Sequence, residues 1–479
     1  MTGLLRRYKY SSNDDKLLYV LLLGFSAFLV LAYTLSAFRS MVNADAGYYL
    51  GVAELIHQGH VPYRDFSLSY TPLFFYALQL PRLFMGAYPN YTGYMLFLYL
   101  FAWLDAYLVA VIVKKITNSM RLAELSTIVF LVLYLYLDGA YFILETFSLC
   151  CGLFSLVLVV GKDTSFWRCL FSGACCALAF LSKQYGLLFA GVIGTLLMIS
   201  DDVWKRRLLN CLYAFVGFCM IILLFSSLFM LSGLGLGDLI VALSGSTYGG
   251  QSLGMFVEGV IKSFRLFPYL LFVPLLLFNR KNQDRQLSWA CCIGLLLASF
   301  QFYFNIFPHY CIFMLPFVLV LSALMWKRMR SSHRTDVYFL LFFGLLFTAC
   351  ALPLQRVYKD TKALAKHDFR MAQDKTTIQL RQTVMNYQLD SALCYWNTIQ
   401  YYGLCPINPS SMETYGFAFG SDTEESYVER LKESDCFLVN ISNLEDIKEM
   451  DDFSVILSER FHLLDQDFAD GTKVFIREQ

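Results

Sequence analysis

Residues 209–232 read LNCLYAFVGFCMIILLFSSLFMLS, a stretch without one charged side chain. An apolar run of about 20 residues is long enough to cross the roughly 30 Å hydrocarbon core of a bilayer as a helix. The whole 479-residue chain has a similar character, since it is 57% hydrophobic and only 16% charged, with a mean hydropathy of +0.52. Such a chain cannot cover its apolar surface in water. The sequence therefore excludes a soluble globular protein and predicts a polytopic α-helical membrane protein.

Other runs of similar composition bring the number of predicted transmembrane helices to about eleven. Two pairs of these runs are separated only by short polar or helix-breaking segments, at Ser182-Lys183-Gln184 and at Phe307-Pro308-His309. The predicted spans lie near 17–37, 94–113, 123–141, 144–161, 169–182, 185–200, 209–232, 256–278, 287–307, 309–326 and 337–354.

Lysine and arginine in the connecting loops predict the orientation, because such residues accumulate on the cytoplasmic side. With the N-terminus in the cytoplasm, about nineteen basic residues lie in cytoplasmic loops and about six in the opposite loops before the tail. The long first loop, 38–93, and the C-terminal tail then share the extracytoplasmic side. Glycosylation-type triplets such as Asn90-Tyr-Thr92 often arise by chance and therefore do not decide which membrane holds the protein. We expect a bacterial inner membrane, with the endoplasmic reticulum as the alternative.

The charge balance changes near Pro353. Residues before 355 carry 25 Lys/Arg and 16 Asp/Glu, whereas residues 355–479 carry 13 and 21. This step predicts a transmembrane domain, 1–354, followed by a soluble extracytoplasmic α/β domain, 355–479. Three stretches of the tail have strand character and a helical segment lies at 423–434; the strands are expected at 391–396, 435–440 and 471–476. A disulfide between Cys394 and Cys405 could form, although the sequence does not decide it.

The first external loop is too long and too amphipathic to be a simple connection. Its apolar residues, at helical spacing after Asp45 and again at 73–83, predict two helices along the membrane interface. These helices would hold Asp45 and Asp65 at the level of the lipid headgroups. Asp45 suits a general base, which must lie within hydrogen-bond reach of the hydroxyl it deprotonates. The alternative is that Asp45 is the N-cap of a helix.

Three further acids lie in or beside the spans. Glu145 enters the fourth span, where an acid is a functional candidate by default, although it could instead face water as a helix N-terminal charge. Asp138 precedes glycine, and Asp-Gly is a common turn pair. Asp105 lies in mid-span, where we expect it to pair with a basic or polar group of the bundle.

Two polar interruptions of the apolar pattern lie on the same predicted side as Asp45. Lys183, followed by Gln184, could neutralise a phosphate attached to a lipid, and His309 or Tyr310 could donate hydrogen bonds to it. The alternatives are that Lys183 extends to the membrane interface and that His309 is an ordinary capping or core residue. The location of these residues on one side favours a shared site.

Motifs in the first loop and beyond it resemble a known family. The loop contains Asp45-x-x-Tyr48-Tyr49, Gly59-x-x-Pro62-Tyr63-Arg64-Asp65 and Tyr70-Thr71-Pro72-Leu73. Their order is similar to that in the GT-C glycosyltransferases, a group that includes protein O-mannosyltransferases and lipid A aminoarabinose transferases. In that family a His-Pro-Pro-Leu-like element follows the acid; here Tyr70 stands in place of the usual histidine. The segments at Lys183 and His309 look like later elements of the family.

The resemblance implies a membrane glycosyltransferase, transferring a hexose or pentose from a polyprenyl-phosphate donor to an acceptor hydroxyl on the extracytoplasmic face, usually with inversion. By this analogy Asp45 is the general base, and Glu145 positions the acceptor or a metal. Lys183 and His309 would stabilise the departing phosphate. The rest of the predicted substrate-binding set is Tyr48, Tyr49, Arg64, Asp65, Gln184 and Tyr310. The family pattern allows a divalent cation but does not require one.

The implied partners are the polyprenyl-phosphate-linked sugar, an acceptor glycan, lipid or protein, and the lipid bilayer; no feature of the sequence indicates nucleic acid. A polytopic transporter or lipid-linked glycan flippase is the main alternative, because it would also have many spans and a few buried charges. Such a protein has no need of a large water-facing tail or an acid-bearing first loop. The residues determine neither the sugar nor the acceptor.

Overall fold

The computed structural model describes residues 13–66, 68, 70–161, 165–200, 202–235, 237–238, 240, 252–268, 282–330, 336–410 and 424–478. Serine and asparagine side chains begin several of the helices, since Asn90, Ser119 and Ser165 each accept a backbone N–H of the first helical turn. The helices of the membrane part are α1 (Asn13–Arg39), α2 (Ala44–His57), α3 (Leu73–Ala77), α4 (Gln79–Arg82), α5 (Tyr91–Thr117), α6 (Met120–Tyr134), α7 (Glu145–Val159), α8 (Phe166–Ser182), α9 (Leu188–Met198), α10 (Trp204–Leu231), α11 (Leu253–Leu266), α12 (Asn282–Ser299), α13 (Leu315–Arg330) and α14 (Asp336–Lys366).

The structure supports a polytopic helical membrane protein. Among the described residues, five helices are long and apolar enough to cross a bilayer, or six if the bent pair α1 and α2 is one span. Three shorter apolar segments lie at Glu145–Val159, Phe166–Ser182 and Gln184–Met198. The predicted total of eleven spans is not confirmed, and part of the predicted span 256–278 lies outside the described residues.

Short breaks in the helices occur where the sequence predicted polar interruptions. The chain leaves α8 at Lys183 in an extended conformation and continues as a 3₁₀ helix, Gln184–Leu187. A second 3₁₀ helix, Pro308–Met314, precedes α13, with the proline at its first turn, where its missing N–H costs nothing. A π-helical segment, Leu135–Gly139, ends α6.

The long first loop, 38–93, folds into helices, as its apolar spacing predicted. The chain bends by 71° between α1 and α2. The stretch after Pro72 forms two short helices, α3 and α4, instead of one continuous helix. A buried ion pair between Arg82 on α4 and Glu54 on α2, with 2.9 Å between Arg82 Nε and Glu54 Oε2, fastens these elements together. No motif in the sequence predicted this pair.

The C-terminal part is a mixed sheet with helices, which agrees with the predicted α/β domain. All three predicted strands and the predicted helix are present, together with two short strands that the sequence did not reveal. The elements are α15 (Met371–Tyr387), β1 (Ser391–Cys394), a 3₁₀ helix (Trp396–Gly403), β2 (Asn408–Pro409), α16 (Glu424–Glu433), β3 (Cys436–Asn440), α17 (Leu444–Lys448), α18 (Asp451–Arg460), β4 (Phe461–Leu463) and β5 (Thr472–Arg477). The strand order is β2-β1-β3-β5-β4.

The tail packs directly onto the helical bundle. Helix α14 continues without interruption through the charge step near Pro353 and ends at Lys366. The main hydrophobic core contains Leu50 of α2 together with Leu380, Cys405 and Val474 of the tail. The fourteen cysteines are free thiols, so Cys394 and Cys405 are not joined. The tail is thus part of the same packed structure as the first external loop.

Candidate active site

Asp45 lies in the first turn of α2 but does not cap it. The cap is Asn43, whose Oδ1 accepts the Ala46 N–H at 2.9 Å. The alternative interpretation of Asp45 as the N-cap is therefore wrong, and its carboxylate is available for another task. A carboxylate in the first turn is also favoured by the partial positive charge of the helix N-terminus.

The Asp45 carboxyl group is half-buried and lies in a strongly charged environment. Burial raises its pKa above the ordinary aspartate value, because water no longer solvates the anion fully. The charges of His309 and Lys183 lower this pKa, and those of Glu145 and Asp138 raise it. All four predicted or possible site residues are therefore close enough to Asp45 to influence its proton affinity.

Glu145 and Lys183 form a buried ion pair. Glu145 is the first residue of α7 and is 1% exposed, and Lys183 follows α8 and is 3% exposed. The Lys183 ammonium donates a short hydrogen bond to Glu145 Oε1. Two alternatives from the sequence are thereby wrong: Glu145 does not face water, and Lys183 does not extend toward an interface. A buried charge of either sign would be strongly destabilising without its partner.

His309 joins this pair to another acid. Its Nε2 lies 3.8 Å from Glu145 Oε1 and its Nδ1 lies 3.4 Å from Asp138 Oδ2. The ring stacks on Phe307 with 5.3 Å between centroids and 11° between planes, which fixes its orientation. Asp138 adopts a left-handed conformation, with φ of 64°, at the end of the π-helical segment. The sequence indicated only a turn at Asp138 and did not predict its contact with His309, 171 residues later.

Tyrosine rings surround the buried ammonium. Lys183 Nζ lies 5.4 Å from the ring centroid of Tyr310 and 5.8 Å from those of Tyr70 and Tyr185. The predicted residues Tyr48 and Tyr49 are buried beside Tyr70, with ring centroids 6.4 Å and 5.8 Å from it. Rings at such distances stabilise a desolvated cation by about 2 kcal/mol. Tyr70 and Tyr185 were not among the predicted site residues, although Tyr70 begins the Tyr70-Thr71-Pro72-Leu73 motif and Tyr185 follows Gln184.

Arg64 and Asp65 pair with each other. Arg64 Nε and Nη2 each donate to an Asp65 carboxylate oxygen at 2.7 Å, and Arg64 Nη1 donates to the Ser232 carbonyl at 2.7 Å. The Arg64 guanidinium lowers the pKa of Asp65 to about 2. These contacts hold the loop against the end of α10, and none of them reaches Asp45. The predicted residue Gln184 lies in the 3₁₀ helix directly after Lys183.

Solved structures of other proteins share this architecture. ArnT from Cupriavidus metallidurans matches at a TM-score of 0.63 in the apo state, over 97% of this chain and 98% of that chain, with 13% identity. ArnT bound to undecaprenyl phosphate matches at 0.61, over 95% and 97%, also with 13% identity. The chain therefore shares its fold with ArnT. The Archaeoglobus fulgidus oligosaccharyltransferase, tethered to an acceptor peptide, matches at 0.50, over 95% of this chain and 74% of that one, with 11% identity.

The predicted resemblance to GT-C proteins is therefore confirmed at the level of the fold. No protein-family model matches the sequence, and comparison with curated proteins gives no match either. At 11–13% identity the shared fold does not transfer an activity or individual residue roles to this chain.

Asp105 lies apart from the site. It is fully buried in α5, and neither carboxylate oxygen has a standard hydrogen bond in the part of the chain that the structure describes. Its polar neighbour is the Cys150 thiol of α7. Among the described residues, the partner expected for Asp105 is therefore the polar Cys150 thiol and not a basic group.

The described residues do not form a recognisable metal centre. No group of three or more His, Cys, Asp or Glu side chains among them has an arrangement that could hold a metal ion. Glu145 Oε1 faces both Lys183 and His309, and Asp138 Oδ2 faces His309.

Proposed function

We propose that this protein is an integral-membrane glycosyltransferase, which moves a sugar from a polyprenyl-phosphate donor to a hydroxyl of an acceptor glycan, lipid or protein on the extracytoplasmic face. The GT-C fold over nearly the whole chain supports this proposal. One of the similar structures is bound to undecaprenyl phosphate, and another, the archaeal oligosaccharyltransferase AglB, is in complex with an inhibitory peptide and dolichol-phosphate.

The observation that carries the proposal is the meeting of Asp45, Glu145, Lys183 and His309. They come from α2, the start of α7, the break after α8 and the 3₁₀ helix before α13, so only the folded chain brings them together. A purely structural ion pair would explain the contact between Glu145 and Lys183. It does not explain Asp45, a half-buried acid whose pKa is influenced by both of them and which does not cap its own helix.

In the proposed reaction, the acceptor oxygen attacks the anomeric carbon of the donor sugar. A new C–O bond forms while the bond from that carbon to the phosphate oxygen breaks, and attack from the opposite face inverts the anomeric configuration. The Asp45 carboxylate takes the acceptor proton, and polyprenyl phosphate leaves with the electron pair of the broken bond. Such a general base contributes about 10²- to 10⁴-fold to the rate.

The surrounding charges suit this assignment. Asp45, Asp138 and Glu145 supply three potential negative charges, against Lys183 and His309 with at most two positive ones. An incoming lipid phosphate would add negative charge, which would raise the pKa of Asp45 further. The donor would thus strengthen the base that its own reaction needs, while Lys183 and His309 stabilise the departing phosphate.

The remaining predicted residues are proposed to bind substrate. Tyr310 lies beside Lys183, and Tyr48 and Tyr49 lie beside Tyr70, which faces the same ammonium. Gln184 directly follows Lys183 in the chain. Arg64 and Asp65, in the loop before α3, would contact substrate only at the rim of the site.

The experiment is a transfer assay with the protein purified in lipid and a panel of radiolabelled polyprenyl-phosphate sugars. We expect Asp45→Asn to lose at least about 10²-fold in turnover while donor binding and thermal stability are retained. Glu258→Gln is the matched control, because Glu258 is an exposed acid of α11 paired only with Lys262 in the described part of the chain. Unchanged turnover in Asp45→Asn would overturn the base assignment. Absence of transfer by the wild type with every donor would favour the transporter or flippase.

A further inference from the structure

The segment that leads into the Asp45 helix is held by a side chain of the C-terminal domain. Gln373, on α15, accepts the Val42 N–H at 2.9 Å through Oε1 and donates to the Val42 carbonyl at 3.0 Å through Nε2. Both residues are buried, with Gln373 2% exposed and Val42 3% exposed. The amide therefore satisfies both backbone groups of a residue that no helix or strand includes.

A second contact from the same domain fixes the helix itself. The 3₁₀ helix Trp396–Gly403 packs against α2 at two glycines. A side chain at Gly47 would overlap the backbone of Gln400, and one at Gly403 would lie 2.5 Å from Leu50 Cβ. Backbones can approach this closely only where a Cβ is absent. The tail therefore fits onto the helix face that begins two residues after Asp45.

A third contact holds the end of the preceding helix. Arg370, adjacent to α15, donates to the carbonyls of Ala37 and Phe38 and to Thr92 Oγ1. These carbonyls belong to the last turn of α1, which has no intrahelical donors for them. Conversely, Arg39 donates to the carbonyls of Leu364 and Ala365 at the end of α14. The bend between α1 and α2 is thus anchored to the tail on both sides.

We propose that Gln373 is a positioning residue for Asp45: it sets the place of the carboxylate by holding Val42, three residues earlier. The proposal rests on the proposed function, because it assigns the C-terminal domain a part in placing the general base. Asp45 stands in the first turn of a helix that follows a 71° bend, so a small change at Val42 tilts the helix and moves this turn. A displacement of about 1 Å at a reacting group can cost about 10²-fold in rate.

The test compares Gln373→Met with Gln379→Met. Methionine keeps the length and burial of the side chain but removes both hydrogen bonds. Gln379 lies on the same helix, and its amide donates to the Asp467 carbonyl within the tail, at 3.2 Å. We expect Gln373→Met to lower kcat by roughly 10- to 100-fold. KM for the lipid donor should change less than about twofold, because Lys183 and Glu145 lie on other elements. Gln379→Met should resemble the wild type in both.

Hydrogen exchange of the peptide spanning residues 41–50 supplies a readout that needs no substrate. Its amides should exchange faster in Gln373→Met than in the wild type or in Gln379→Met. Gln373→Glu, which keeps an acceptor for the Val42 N–H but no donor for its carbonyl, should fall between them. If wild type and Asp45→Asn both lack transfer, the proposed function fails, and the exchange rates alone decide whether Gln373 holds this segment. Equal exchange and equal kcat in the two methionine variants would overturn the proposal, as would a parallel change in kcat and KM.

Discussion

The buried ion pair between Glu145 and Lys183 makes a quantitative prediction. Breaking a buried pair by removing one partner costs about 3–5 kcal/mol, because the other charge stays buried without compensation. Lys183→Met leaves Glu145 with only the His309 ring nitrogen, 3.8 Å away, among the basic side chains that the structure describes. We therefore expect a loss of about 3 kcal/mol, or roughly a hundredfold in the folding equilibrium constant.

The reverse change should be milder. Glu145→Gln leaves the ammonium within 5.4–5.8 Å of three tyrosine rings, and such contacts offset about 2 kcal/mol of its desolvation. The double variant removes both charges, so its stability should return to within about 1–2 kcal/mol of the wild type, since replacing a whole buried pair is often nearly neutral. The expected order of stability is wild type, double variant, Glu145→Gln and Lys183→Met.

The measurement is the free energy of unfolding in mixed micelles titrated with a denaturing detergent, followed by circular dichroism, with sugar transfer assayed in parallel. Transfer should be absent in Lys183→Met and stay absent in the double variant, because restored stability does not restore the cation. If the two single losses simply add in the double variant, the pair is not coupled and the reasoning is refuted. If the double variant regains transfer, Lys183 has only a structural role.

The remaining predictions concern Asp45, Arg64 and Asp105. Because burial raises the pKa of Asp45, kcat should fall on the acid side with an inflection above the ordinary aspartate value; an inflection at or below that value would contradict it. The native state then binds this proton more tightly than the unfolded state, so Asp45 should lower stability as pH rises through its native pKa, and Asp45→Asn should abolish this dependence. Arg64→Met should shift the melting temperature far less than Lys183→Met, because the Arg64 and Asp65 side chains are 44% and 25% exposed, so water partly solvates this pair. Asp105→Asn should melt no lower than the wild type, and transfer by this variant should be unchanged; a clear loss of either would mean that Asp105 has a partner or a role beyond a neutral buried acid.

The helical membrane architecture was predictable because it depends on local composition. A run such as 209–232 cannot be stable in water, and the strands of the tail follow from short apolar stretches between polar ones. The number of spans was harder to predict, since several apolar segments are too short to cross the bilayer alone and are broken at Lys183 and before Pro308. Hydropathy reports length and polarity and carries no information on how broken helices combine.

The residue types of the site were predictable, but their pairing was not. Polar groups in apolar segments stand out because each costs free energy unless it is paired, which is why Glu145, Lys183 and His309 could be selected. The partner of each depends on the packing of separate helices. Asp138 shows the limit most clearly, since its sequence context describes its backbone turn correctly and says nothing of the imidazole that its side chain meets.

The position of Asp45 illustrates how far local rules extend. An aspartate at the start of a helical stretch is a reasonable N-cap, yet Asn43 takes that place because its side chain reaches the Ala46 N–H. The capping residue thereby releases the acid two positions later. The position of the Asp45 carboxylate then depends on residues distant in sequence. Gln373 and the Trp396–Gly403 segment hold its helix from a domain more than 300 residues away. Charge composition predicted that domain as a separate unit, but composition cannot reveal that two glycines and one buried amide join it to the helix that carries Asp45.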